Sequence, residues 1–277
     1  MADTIKFYPY NILESGTVTV TGTADTGYPE SRLYDRSINL LWKYTTGAME
    51  IIFQVDQGGE RIGSMGNDTY LIGGMGDDSY AIGSMGGDEI DEIKEVDLLY
   101  ISGHNFNTRD MTWDYSDNGD NWTEQDSWTQ DGNGVIIKTI PSSISATFWR
   151  VTVASHVNPQ CAEIIMGLAY SFDIQKTPDP NHSWLDNVTW SQSIGGQERG
   201  IKLGNKRARR LYAVKLTPAN RLIFQSVIGN LDGFSLPFLI QDMNDDYFMA
   251  RFDPPPAEGY FLHTKAVEVD LNLVEML

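Results

Sequence analysis

The chain has 277 residues, a formal charge of −18, and 41% hydrophobic residues. That is enough for one large or two ordinary domains, each with its own core, but so acidic a chain is excluded from general binding to nucleic acid or anionic membranes, which reward positive surface. The single cysteine, Cys161, excludes an internal disulfide framework and cysteine-rich zinc sites, and no apolar run approaches the ~20 residues that span a bilayer.

The first residues, "MADTIKFYPYNILESG", lack a charged stretch followed by an apolar core, so no signal peptide is expected. From there to residue 172 the chain reads as strands. "TVTVTGT", "EIIFQVD", "EVDLLYISG", "MTWDYS", "GVIIKTI" and "TFWRVTVAS" have strand length and are divided by Gly, Asn, Asp and Pro turns. Many short strands with turn chemistry between them predict a β-sandwich or jelly roll. Cys161, in the apolar run "CAEIIMGLAY", is expected to be a small buried hydrophobe.

Between Gly63 and Ile90 the chain repeats Gly-x-Met-Gly, a polar pair and a short apolar stretch, with a period of ten. Met65, Met75 and Met85 fall in register, as do Asp68, Asp78 and Asp88. Glycines permit tight turns, and aspartates offer hard oxygen ligands. "GGMGDDSY", which contains Asp77 and Asp78, resembles the Gly-Gly-x-Gly-x-Asp repeats of RTX proteins. That resemblance implies Ca²⁺ held between neighbouring turns. The RTX period is nine, so the alternative is a β-meander whose turns use Gly and Asp for geometry alone. Removing residues 58–94 would leave "IIFQVDQG" running into "EVDLLYISGHNF", so the block is expected to be a loop insertion at a strand–turn–strand joint.

With the insertion set aside, residues 1–172 resemble a discoidin-type domain, the jelly roll of coagulation-factor C domains and many carbohydrate-binding modules. The residues that carry the resemblance are "RLYDRSINLLWKY", "MTWDYSDNGDNWTE", "FWRVTV" and "CAEIIMGL". It implies a structural Ca²⁺ at Asp35 and Glu163, set against the plainer reading of a turn aspartate and a strand-end glutamate. Trp42 and Trp122 are expected in the core, whereas Trp128 and Tyr44, in polar surroundings, are candidates for stacking on a sugar face.

"DIQKTPDPNHS" reads as a linker over residues 173–182, and residues 183–277 as an α+β domain of antiparallel strands with one packed helix. The helix is expected in "TPANRLIFQSVIGNL", with Thr217 as N-cap, Pro218 in the first turn, and an apolar face of Leu222, Ile223, Val227 and Leu231. "GGQERGIKLGNKRARRLYAVKL", "GFSLPFLIQD" and "MARF" resemble tail-tube-type domains of phage minor and distal tail proteins, whose members form rings. The terminal strand "KAVEVDLNLVEML" has an apolar face, and a free edge there would need covering. Lys206, Arg207, Arg209 and Arg210 would then meet acidic neighbours in the assembly.

The four histidines, His104, His156, His182 and His263, are scattered and show no zinc spacing. Nucleophile-elbow and phosphate-loop motifs are missing, and no carboxylate pair stands out, so no enzyme is expected. The leading expectation is a virion protein of a phage tail tip, made in the host cytoplasm. It would form a ring, contact other tail proteins, and decorate the particle with a domain suited to host-surface glycans. A stand-alone bacterial carbohydrate-binding or adhesion protein is the alternative, and a glycan hydrolase the third reading.

Overall fold

The computed structural model describes residues 4–21, 25, 27–37, 39–44, 46–55, 95–173, 181–185, 188–192, 198–202, 207–231, 236–242, 244–253, 257–260 and 267–276. These residues are mainly β, with one α-helix, Pro218–Asn230, and two short 3-10 turns. The repeat aspartates Asp68, Asp77, Asp78 and Asp88, and Lys206, lie outside the described residues.

The first layer is a five-stranded antiparallel sheet in the order Thr17–Val20, Thr46–Gln54, Phe148–Val157, Asp110–Ser116, Thr123–Thr129. Alternation in sequence becomes two faces, because successive side chains point to opposite sides. Met49, Ile51 and Phe53 share the inner face with Trp149, Val151 and Val153, and with Met111 and Trp113. A three-stranded sheet, Glu163–Gly167, Glu95–Ser102 and Ile136–Ser145, packs opposite through Val96, Leu99, Ile101, Ile136, Ile164 and Met166. This is the expected sandwich. Burying each of these side chains contributes roughly 1.5–3 kcal/mol.

Trp42 lies in this core as expected, fully buried. Trp122 does not. It sits half-buried with the Arg150 guanidinium 4.2 Å above its ring. Arg150 in turn bonds Glu50 at 2.9 Å and Asp114 at 3.0 Å. Thr46–Gln54 belongs to the five-stranded sheet and Glu95–Ser102 to the three-stranded one, so the strands on either side of the repeat block lie in different layers.

The second body is an eight-stranded antiparallel sheet. Its path runs Tyr170–Asp173, Thr4–Tyr8, Phe238–Gln241, Tyr247–Phe252, Val267–Glu275, Arg207–Leu216, Asn181–Leu185, with Ala257–Tyr260 also paired to Val267–Glu275. Thr4–Tyr8 pairs with Phe238–Gln241, so this sheet draws strands from both ends of the chain, and a division at residue 172 runs through it. The expectation of a free edge on the terminal strand is overturned. Val267–Glu275 is bonded to Arg207–Leu216 on one side and to two strands on the other.

The helix begins as expected, with Thr217 Oγ1 accepting from Asn220 N at 3.2 Å and proline at its start. Its buried face is Phe224, Val227 and Leu231, while Leu222 is 67% exposed and Ile223 38%. The spacing of three and four fits the helical period, whereas Leu222 and Ile223 lie off that stripe. Between the two bodies Tyr8, Leu98, Tyr100, Ile165, Leu239 and Met249 form a shared apolar seam. Arg36 crosses it, donating to Pro237 O at 2.7 Å and Pro9 O at 3.0 Å while forking onto Glu14.

Candidate functional site

Strand ends and loops of the sandwich border an open polar cleft of about 480 Å³, lined by Asp25, Lys43, Tyr44, Asn105, Val157, Asn158 and Gln160. Its walls are fixed by backbone register. Gln160 pairs with Lys43 and Cys161 with Trp42, which brings the 155–160 loop beside the entry to the second strand of the five-stranded sheet. Tyr44 N donates to Pro159 O at 3.0 Å, and Asp25 N to Lys43 O at 3.0 Å.

Asn105 is the pin between loops. Its Oδ1 accepts from Gln160 N and its Nδ2 donates to Asn158 O, each at 3.0 Å. Asn158 and Thr108 hold left-handed backbone, with φ of 50° and 62°; asparagine tolerates this conformation readily, whereas β-branched threonine adopts it only when its surroundings fix it. Lys43 Nζ lies 4.4 Å from the centre of the Tyr28 ring. Val157, 68% exposed, places an aliphatic surface beside the polar groups.

The cleft therefore presents amide donors and acceptors, one ammonium, one carboxylate and an apolar patch. Hydroxyl groups both donate and accept, so such a set suits a polyhydroxylated ligand. Hydrolysis of a glycosidic bond uses two carboxyl groups. Asp25 is the one carboxylate among the described residues lining this cleft.

The sugar-stacking candidates fall in different places. Tyr44 lines the cleft but is only 8% exposed and lies parallel to Trp42, with centroids 6.1 Å apart, so it forms the floor and offers no open platform. Trp128 is away from the cleft, half-buried against the sandwich core, with Lys138 Nζ 4.2 Å above its ring and its Nε1 donating to Gln130. The cleft residues other than Tyr44 carried no signal strong enough to be singled out in sequence. "SGHNFNTRD" and "SHVNPQC" are polar strand-ending loops, and that is the trace they leave.

The second candidate site is at Asp35 and Glu163. Glu163 is fully buried, and neither carboxylate oxygen has a hydrogen bond of good geometry among the described residues, the Arg36 backbone N–H being the donor that approaches it. Burial pushes its carboxyl up to about 9, Asp35 and Glu14 add to that, and the Arg36 charge and backbone N–H oppose it. Burial also raises Asp35, whose Oδ1 accepts from Ser37 N at 2.9 Å. An orphaned buried carboxylate near a second one is costly as it stands, and its hard oxygens fit Ca²⁺ in donor chemistry. No group of three acidic, histidine or cysteine side chains gathers around a common point among the described residues, so backbone oxygens would have to complete a shell.

Arg210, expected to face a neighbouring subunit, is engaged within the chain. It pairs with buried Asp242 at 2.7 Å and stacks 3.9 Å from the Phe248 centroid. Arg207 and Arg209 lie on the same strand. His104 is structural: buried, stacked on Phe106, its Nδ1 accepting from Phe106 N and its Nε2 facing Gly134 O, with its basicity lowered by burial.

No protein-family model matches the sequence, and no curated protein does. Among solved structures, the chain is similar to the module CpGH89CBM32-6 produced by Clostridium perfringens, at 15% identity and a TM-score of 0.38, over 57% of this chain and 98% of that one. The family 32 module of C. perfringens NanJ, solved with galactose, gives 16% identity and 0.38, over 58% and 98%. A Ruminococcus gnavus GH29 fucosidase gives 14% and 0.41, over 59% of this chain and 28% of that chain.

Proposed function

We propose that this chain is a glycan-binding protein, with its ligand held in the cleft between the 103–109 and 155–160 loops. The observation that carries this reading is the cleft itself: Lys43, Asn105, Asn158 and Gln160 converge on a space of about 480 Å³ beside exposed Val157. The discoidin resemblance of the sandwich sequence points the same way. A binding role is favoured over hydrolysis because Asp25 is the one carboxylate that the described residues give the cleft.

Ca²⁺ in this reading is structural, held at Glu163 and Asp35, where it would neutralise a buried carboxylate whose oxygens accept no well-formed hydrogen bond among the described residues. Incorporation into a phage tail tip rests on the resemblance of residues 183–277 alone, since the terminal strand needs no neighbour to cover it. A stand-alone binding protein fits the cleft equally well.

The test is a glycan array probed with the full chain and with a Lys43→Met, Asn158→Ala double variant. Retention of one sugar class by the parent and its loss in the variant is the expected result. Equal retention by both proteins, or none by the parent, would remove the cleft as the site.

A further inference from the structure

Asparagine followed by glycine occurs twice in the chain, at Asn118–Gly119 and at Asn133–Gly134. Asparagine is a thermolabile residue, and most so in this pairing, because a following residue without Cβ lets its backbone nitrogen approach the carboxamide carbon. The fold treats the two pairs differently. At the first, Asn118 Oδ1 accepts from Ser116 Oγ at 3.1 Å, from Asp120 N at 3.0 Å and from Asn121 N at 2.9 Å. The Gly119 N–H, whose nitrogen would be the nucleophile, donates to Ser116 Oγ at 3.1 Å. A Cβ on Gly119 would stand 3.4 Å from the Phe148 ring. Reaction at this pair has to break these hydrogen bonds first.

At the second pair, Asn133 and Gly134 are both exposed. Asn133 Oδ1 accepts from Asn107 N at 3.1 Å. Gly134 N donates to no group among the described residues, and a Cβ placed on Gly134 would meet nothing within 4 Å. The nucleophilic nitrogen is therefore free, and a single bond restrains the carboxamide.

We propose that Asn133–Gly134 is a self-modification site, which converts spontaneously to an aspartyl or isoaspartyl link while Asn118–Gly119 stays intact. Gly134 N bonds to Asn133 Cγ, the Cγ–Nδ2 bond breaks, and ammonia leaves with the amide proton. Water then opens the resulting succinimide by adding to either of its carbonyl carbons. One opening gives aspartate. The other gives isoaspartate, whose main chain runs through the former side chain and is one methylene longer.

The place of the site gives the reaction a consequence, because the 130–134 loop buttresses the 103–109 loop that carries Asn105. Besides the bond from Asn107 N to Asn133 Oδ1, Gly132 N donates to Asn107 Oδ1 at 2.8 Å and Thr108 N to Gln130 O at 2.7 Å. His104 Nε2 faces Gly134 O. These contacts hold β-branched Thr108 at its φ of 62°. A backbone lengthened at residue 133 misplaces them, so this wall loosens as the protein ages.

The experiment holds the full chain at mildly alkaline pH, folded or unfolded in guanidinium chloride, and follows both asparagines over time by peptide mapping with mass spectrometry. No sugar is present, so the result stands apart from the glycan array. In the unfolded chain both are expected to convert at similar rates, since glycine follows each. In the folded chain Asn133 is expected to convert, and Asn118 at least about tenfold more slowly, the scale of the hydrogen bonds that must first open. Separate aspartyl and isoaspartyl peptides should elute, with ammonia released in step. Ser116→Ala, which frees the Gly119 amide, should raise the rate at Asn118. In the isolated isoaspartyl fraction the Asn107 and Thr108 amides should exchange faster than in fresh protein. Folded chain that converts Asn118 as fast as Asn133, or that spares Asn133 while the unfolded chain reacts, would overturn the inference. An Asn118 rate unmoved by S116A would overturn the reason given for the difference, and unchanged amide exchange would overturn the link to the cleft wall.

Discussion

Replacing Glu163 by glutamine keeps the shape of the side chain and removes its charge. In the folded chain the Glu163 carboxyl is pushed from 4.5 up to about 9, chiefly by burial. The unfolded chain therefore ionises this group at pH values where the folded chain cannot. The stability linked to it is full below about 4.5, falls as pH rises, and reaches its floor above about 9. Each pH unit is worth about 1.4 kcal/mol, so at pH 7 the deficit is about 3 kcal/mol. Glutamine, neutral in both states, escapes it. In EDTA, E163Q should match the parent near pH 4.5 and exceed it by about 3 kcal/mol at pH 7, which amounts to roughly 5–10 °C in melting temperature for a chain of this size. Millimolar Ca²⁺ should close most of that gap, because the cation binds the ionised Glu163 of the parent while the variant keeps only Asp35; saturation at about 100 times the dissociation constant stabilises by about 2.7 kcal/mol. Urea unfolding of both proteins at several pH values, with EDTA and with Ca²⁺, reads all of this. Taking the difference between the proteins cancels the other titrating groups. A difference that does not change with pH, or a variant less stable than the parent in EDTA at pH 7, would refute the assignment of a neutral buried acid. A parent that ignores Ca²⁺ would refute the metal.

Gly103 has a φ of +63°, and a Cβ there would meet the Ala162 Cβ at 2.4 Å, so Gly103→Ala should cost at least 1–3 kcal/mol in urea unfolding. Phe224→Ala should cost about 3–5 kcal/mol, whereas Leu222→Ala on the same helix should stay within about 0.5, a contrast that thermal melts would show. Arg36→Ala removes the cation that ties Glu14 to Pro9 O and Pro237 O and should cost about 3 kcal/mol, with faster proteolysis at the seam between the two bodies. Asn105→Ala deletes both side-chain bonds between the cleft loops and should abolish glycan retention on the array while the melting temperature falls by only a few degrees.

Local pattern alone determined the strands of the sandwich. In "FWRVTV" and "MTWDYS" the alternation of large apolar and polar residues leaves one arrangement that buries Trp149, Val151, Val153, Met111 and Trp113 together. The helix start was equally legible, because Thr217 and Pro218 act within one turn. Its buried face was not: Leu222 and Phe224 are both apolar, and only the position of the sheet beneath them selects Phe224. The same holds for the chain ends. Nothing in "TIKFY" says that it pairs with Phe238–Gln241, more than two hundred residues away, and so covers part of the C-terminal core. The cleft is the extreme case. Asn105, Asn158 and Lys43 are ordinary loop and strand-end residues in sequence, and become a site only through the register that sets Gln160 opposite Lys43. Glu163 was legible as a residue through the family resemblance, but its orphaned oxygens are a property of burial. A sequence fixes which side chains prefer the interior, because that preference is local. Which polar groups end up facing one another depends on long-range pairing, and only the tertiary structure decides it.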